Sequence, residues 1–193
     1  MRPGDNLDGQ FAEKIQIHCI LYFVIAQSCH EVGMFRIVLA LSDETISQAR
    51  NLFREYASTI GVEVCLGDFE RETATLPGLY APPGGRLLLA IEESFGSPGE
   101  AIGCVGLRRF DQAVGEMKRL YVRSSLRGKG AGAQLVRSLI AEARSIGYQR
   151  MVLDTLPSME AAQKLYRTLG FREIAAYQKN PIPDSLFFEF LLR

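Results

Sequence analysis

A six-residue run, Arg127-Gly128-Lys129-Gly130-Ala131-Gly132, places the tightest limit on how this chain can fold. It joins a strand-like stretch, Glu116 to Val122, to a stretch carrying Leu135, Val136, Leu139, Ile140 and Ala143 at helical spacing. The first N–H groups of a helix lack an intrahelical partner and carry the positive end of its dipole. A glycine-rich strand-to-helix turn therefore offers main-chain donors to an anion. Arg127 and Lys129 add charge beside those amides, and arginine can fork onto phosphate oxygens. The pattern predicts a pyrophosphate cradle formed by Gly128, Lys129, Gly130, Ala131 and Gly132; the bland alternative is a flexible connection with two solvated cations.

Two nucleotide motifs compete for the same residues. A P-loop needs a Gly five residues before the Gly-Lys pair and a Ser or Thr after it, but Arg123 and Gly130 stand there. The dinucleotide pattern G-x-G-x-x-A fits Gly128-x-Gly130-x-x-Ala133, and Asp154 ends the next strand-like run. Its first glycine belongs directly off the strand, however, whereas Arg123 to Arg127 intervene here.

Composition narrows the classes further. A length of 193 residues with 47% apolar content suits one globular domain, and 22 Lys plus Arg balance 22 Asp plus Glu with no cationic block. Nothing demands a nucleic acid or an anionic membrane as partner. Cys19, Cys29, Cys65 and Cys104 form no C-x-x-C pair, which points to a reducing, cytoplasmic setting rather than a disulfide scaffold. His18-Cys19 and Cys29-His30 match no standard zinc spacing, so no metal is expected.

The apolar run Ile15 to Ala26 has twelve residues, too few for a membrane-spanning helix, and it is preceded by Asp5, Asp8 and Glu13 rather than a positive region. Residues 1–33 read as a non-essential extension or a misassigned start. Met34 then opens the domain, which runs 34–193.

Within the domain a strand at Phe35 to Leu41 leads to a cap at Ser42 and a helix with Ile46, Ala49, Phe53, Tyr56 and Ile60 on one face, stopped at Gly61. A second short helix follows Asp68. Strands Arg86 to Glu92, Ala101 to Leu107 and Glu116 to Val122 make an antiparallel meander after the Pro and Gly breaks at 77–85. Beyond the glycine loop come a helix ending at Gly147, a strand Arg150 to Leu156, a helix with Ala162, Leu165, Tyr166 and Leu169 stopped at Gly170, and strands Phe171 to Ala176 and Leu186 to Leu192.

From Phe35 onward the chain resembles the GNAT superfamily of acyl-CoA-dependent N-acetyltransferases. Arg127, Gly130 and Ala131-Gly132 reproduce its loop motif, and Ala162, Leu165, Tyr166, Gly170 and Phe171 reproduce its Ala-x-x-Leu-Tyr-x-x-x-Gly-Phe segment. The resemblance implies an α/β (α+β) fold: a mixed, mostly antiparallel sheet of six to seven strands flanked by about four helices. It implies acetyl-CoA as donor, with Leu120, Tyr121 and Val122 along the pantetheine arm. The acceptor would be a primary amine of a small molecule or peptide, attacking directly in a ternary complex, and the protein a monomer or homodimer. Tyr166 would be the acid that protonates the sulfur. Glu116 would be the base, and Asp154, a second carboxylate at a strand end near the acceptor, could replace it directly or through water. Tyr56, Tyr80, Tyr177 and Asn180 fall where acceptor pockets are shaped in the family. Many members carry Asn where Met159 stands, which leaves Ser158 as its substitute at the cofactor. A non-catalytic acyl-CoA-binding module and an NAD(P)-binding enzyme are the alternatives.

Overall fold

A computed structural model of the chain describes residues 35–60, 69–93, 99–178 and 182–192, which lie within one compact unit. The expected extension 1–33, the stop at Gly61 and Asn180 fall outside the described residues. The elements are β1 Phe35–Leu39, α1 Asp43–Ile60, α2 Phe69–Ala74, β2 Arg86–Glu92, β3 Ala101–Arg109 and β4 Val114–Val122. They continue with α3 Ala131–Ile146, β5 Arg150–Thr155, α4 Glu160–Thr168, β6 Arg172–Ile174 and β7 Leu186–Leu191.

The strands form a single sheet in the order β1-β2-β3-β4-β5-β7-β6. Neighbours pair antiparallel except β4 and β5, which are parallel because α3 carries the chain back between them. This is the mixed, mostly antiparallel sheet expected, with its helices around it.

Local signals explain where the helices start and stop. Ser42 and Thr45 cap α1 reciprocally: Thr45 N–H donates to Ser42 Oγ at 3.3 Å and Ser42 N–H to Thr45 Oγ1 at 3.1 Å, with Asp43 and Glu44 in the first turn. Gly147, at φ 97°, ends α3 by donating its N–H to the carbonyls of Ala143 and Arg144.

Both faces of the sheet are covered, so β2 alternates between two cores. Leu88 and Ala90 join Leu135, Val136, Leu139, Ile140 and Ala143 of α3 on one side, while Leu87, Leu89 and Ile91 join Ala49, Leu52 and Phe53 of α1 on the other. Full burial of a side chain such as Leu139 stabilises by roughly 1.5–3 kcal/mol. Leu52 is wholly buried although the spacing argument left it off the apolar face of α1, because the helix packs on the sheet through a broader stripe than one row. The strand expected over Phe171 to Ala176 shortens to β6. Beyond Ile174 the backbone leaves the sheet edge and brings Tyr177 to Glu116.

Candidate active site

The register of β4 and β5 creates the site. The two strands pair at Val114–Arg150, Gly115–Met151 and Glu116–Val152, and the pairing ends there, although β4 continues to Val122 and β5 to Thr155. Beyond Glu116 the strands splay, leaving main-chain groups of β4 from Leu120 onward unclaimed by β5. Across the gap Lys118 Nζ donates to Asp154 Oδ1 at 2.6 Å.

A bulge in β4 lies just past that ion pair. On β3, Cys104 faces Tyr121 and Gly106 faces Lys118, so Val105 stands opposite both Arg119 and Leu120. Arg119 adopts φ 60°, a left-handed conformation that costs a non-glycine residue on the order of 1–3 kcal/mol. The bulge changes which way the last residues of β4 face, and Leu120 and Val122 pack toward α3 and α4.

After β4 the chain makes a short turn at Ser124–Leu126 and enters the glycine loop. Gly128 and Gly130 have φ of 79° and 90°, and a Cβ at either would meet nothing within 4 Å. No side chain caps α3, and no acid stands in its first turn. Helix N-terminal donors beneath an open glycine surface suit an anion such as a pyrophosphate. Of the two expected cations, Lys129 is exposed, but Arg127 turns back along β4. Its Nε donates to the Val122 carbonyl at 2.9 Å, and its guanidinium lies 5.9 Å from the centre of the Tyr121 ring. The Val122 carbonyl expected to pair with the pantetheine arm is thus held by Arg127 in this structure.

Glu116 is 0% exposed. Its Oε2 accepts from Arg108 Nε at 2.6 Å, and its Oε1 accepts from Tyr177 at 2.8 Å and Gln178 at 3.2 Å, with Lys118 Nζ at 3.8 Å. Asp154, by contrast, keeps 16% of its side chain exposed. The result is a run of alternating charge, Arg108, Glu116, Lys118, Asp154, on one face of the sheet at the mouth of the splay.

Tyr166 projects from α4 into the core, 6% exposed, its ring tilted against Phe171 and Phe188 at 5.8 and 6.0 Å. Burial pushes its phenol well above the usual tyrosine range, and the electrostatics of Tyr56 and Asp154 push the same way. The group stays protonated at neutral pH. Tyr56 packs its ring 6.0 Å from that of Tyr121. Tyr177 stacks edge-on against Phe187 and Phe110, and burial followed by the Glu116 charge raises its phenol too.

The remaining expected contacts lie elsewhere. Tyr80 is 2% exposed, set edge-on to Phe53, and its ring occupies the space a side chain at Gly106 would need. Its hydroxyl donates to Glu72 at 2.5 Å, so it is a core residue and lines no open surface. Ser158 is exposed in the turn before α4, while the neighbouring Met159 accepts the Thr155 hydroxyl on its sulfur at 3.6 Å. Arg108, Lys118 and Gln178 join the site although no sequence motif marks them. Charged residues on otherwise apolar strands are the available signal for the first two, and β3 runs to Arg109, past the expected end at Leu107.

Among the described residues no helix is long and apolar enough to cross a membrane, and no group of His, Cys, Asp and Glu could hold a metal ion. The acetyltransferase (GNAT) family model matches residues 47–171. An uncharacterised N-acetyltransferase of Schizosaccharomyces pombe is 35% identical over 75% of this chain and 86% of its own length. Human N-acetylaspartate synthetase is 27% identical over 88% of this chain, which spans 57% of that protein. Among solved structures, one described as an acyl-CoA N-acyltransferase from Klebsiella pneumoniae is 29% identical, with a TM-score of 0.63 over 83% of this chain and 99% of its own. An acetyltransferase from Salmonella typhimurium solved with acetyl-CoA shares the fold at 22% identity, with a TM-score of 0.61 over 83% of this chain and 95% of its own. A chain with this splayed sheet, this glycine-capped helix and these matches belongs to the GNAT family of acetyltransferases, enzymes that use acetyl-CoA as acyl donor.

Proposed function

We propose that this protein transfers the acetyl group of acetyl-CoA to a primary amine of a small molecule or peptide, by direct attack in a ternary complex. The splay of β4 from β5, followed along the chain by the uncapped N-terminus of α3, carries this reading. Acetyl-CoA, when bound, supplies an activated thioester. Gly128 to Gly132 would hold its pyrophosphate with main-chain N–H groups, aided by Lys129, while the main chain of Leu120, Tyr121 and Val122 would align its arm, with Ser158 as a further polar contact. Arg127 reaches the phosphates by releasing the Val122 carbonyl.

The new bond joins the amine nitrogen to the acetyl carbon as the carbon–sulfur bond breaks. The amine loses a proton and the sulfur gains one. Tyr166 donates the latter, because its buried phenol keeps its proton at neutral pH. The former goes to the carboxylate pair flanking Lys118. Asp154, partly exposed beside Lys118, takes it directly or through water; Glu116, covered by Arg108, Tyr177 and Gln178, is the alternative acceptor. Tyr56 and Tyr177 border the acceptor. Amino acids come first among acceptors to test, because a relative is named for an N-acetylated amino acid and the 31%-exposed Arg108 guanidinium could take a carboxylate.

The test incubates the protein with acetyl-CoA and a panel of amino acids, their amides, polyamines and peptides, and follows free thiol. Amine-dependent CoA release supports the proposal. Thermal stabilisation by CoA without turnover on any amine would reduce the protein to an acyl-CoA-binding module, and stabilisation by NAD(P)H but not CoA would overturn it. Tyr166→Phe should retain acetyl-CoA affinity while turnover falls by on the order of 10²–10⁴. Unchanged turnover would make Tyr166 a packing residue.

A further inference from the structure

Arg119 stands in β4 at φ 60°, a position where glycine would be favoured. Several groups hold it there. Glu72, from α2, accepts Arg119 Nε on Oε1 at 3.1 Å and an outer guanidinium nitrogen on Oε2 at 2.6 Å. Phe69, one turn earlier on the same helix, places its ring 5.3 Å from the guanidinium carbon. Tyr80 fixes Glu72 in turn through its hydroxyl, and the Arg119 carbonyl accepts from the buried Cys104 thiol at 3.5 Å. Burial by itself would raise the Glu72 carboxyl, but the Arg119 hydrogen bonds and charge, together with the Tyr80 hydroxyl, hold it below the usual range. Neither Glu72 nor Arg119 belongs to the acid, base or phosphate groups assigned above, yet Arg119 is the bulge residue immediately before Leu120.

We infer that Glu72 is a positioning residue for acetyl transfer. By clamping Arg119 it keeps the β4 bulge left-handed, and the bulge aims the Leu120–Val122 main chain into the splay. The inference rests on the reading that acetyl-CoA lies along Leu120–Val122. A pair that merely fastened α2 to the sheet would have no reason to involve the strained residue of the bulge.

Glycine and alanine at position 119 separate the two roles. Both remove the clamp, but only glycine favours the left-handed conformation by itself. Arg119→Ala is expected to lower kcat by about tenfold or more and to raise the KM for acetyl-CoA, because small misplacements of reacting groups are costly. Arg119→Gly is expected to recover most of that loss. Glu72→Gln alone should lower kcat by about tenfold, and adding it to Arg119→Gly should change turnover less than about twofold. All assays are run below the lowest unfolding midpoint, with calorimetric acetyl-CoA affinity as a second readout. Equal kcat and equal affinity in the Gly and Ala variants would overturn the inference while leaving the acetyltransferase reading intact. A wild-type protein that bound no acetyl-CoA would overturn both.

Discussion

Arg108 and Glu116 are direct cross-strand partners on β3 and β4, and Arg108 Nε donates to the Glu116 carboxylate at 2.6 Å. The pair ties a fully buried acid to a partly exposed cation at the point where β4 and β5 cease to pair. It also divides the work of the two carboxylates. Glu116 is wholly buried among protein donors, whereas Asp154 is anchored by Lys118 and keeps 16% of its side chain exposed.

Replacing each acid isosterically distinguishes their roles. Asp154→Asn is expected to abolish the acidic limb of the kcat/KM profile, with partial recovery at high pH where free amine is abundant. Glu116→Gln leaves Arg108 without its counter-charge in a half-buried setting and is expected to destabilise by about 1–3 kcal/mol in urea denaturation. Should Glu116→Gln instead remove the acidic limb while Asp154→Asn keeps it, the proton acceptor is Glu116.

The glycine loop supplies a binding prediction. At φ 90° a branched side chain is strained, and at Gly130 it would also fill the open face above α3. Gly130→Val should weaken acetyl-CoA binding by about tenfold or more in calorimetry while the circular dichroism spectrum is retained. Undiminished affinity in the folded variant would remove the phosphate from this loop.

Stability should fall in alkali. Burial raises the phenols of Tyr80, Tyr166 and Tyr177 above the ordinary value of 10.0, with Glu72, Tyr56 with Asp154, and Glu116 respectively adding to the effect. The folded state therefore holds these protons more tightly than the unfolded state. Their contribution is complete below pH 10 and is lost as the pH rises past it. The urea midpoint should hold between about pH 7 and 9 and drop above 10, less steeply in Tyr177→Phe. A midpoint indifferent to pH up to 11 would contradict the burial of these hydroxyls.

Met34–Arg193 forms a compact unit. A chain beginning at Met34 is therefore expected to fold and to bind acetyl-CoA as the full chain does. Thermal melts with and without acetyl-CoA check this, and aggregation of the shortened chain alone would show that residues 1–33 cover part of the domain.

What the sequence determined by itself was local. Helical spacing located α3 and its five inward residues, Gly147 marked its end, and Pro and Gly breaks separated the strands of the meander. Glycines at 128 and 130 announced an open turn at a helix start, because main-chain freedom and a helix start are properties of neighbouring residues. Only the tertiary structure decided what lies across the sheet. Arg108 and Glu116 are eight positions apart, Lys118 and Asp154 thirty-six, Glu72 and Arg119 forty-seven. No periodicity encodes such partners, since register, the bulge at Arg119 and the end of β4–β5 pairing arise from how whole strands fit together. The same physics removed Tyr80 from the acceptor wall. A tyrosine in a loop looks available in sequence, and it becomes core when a glycine in a neighbouring strand leaves room for its ring.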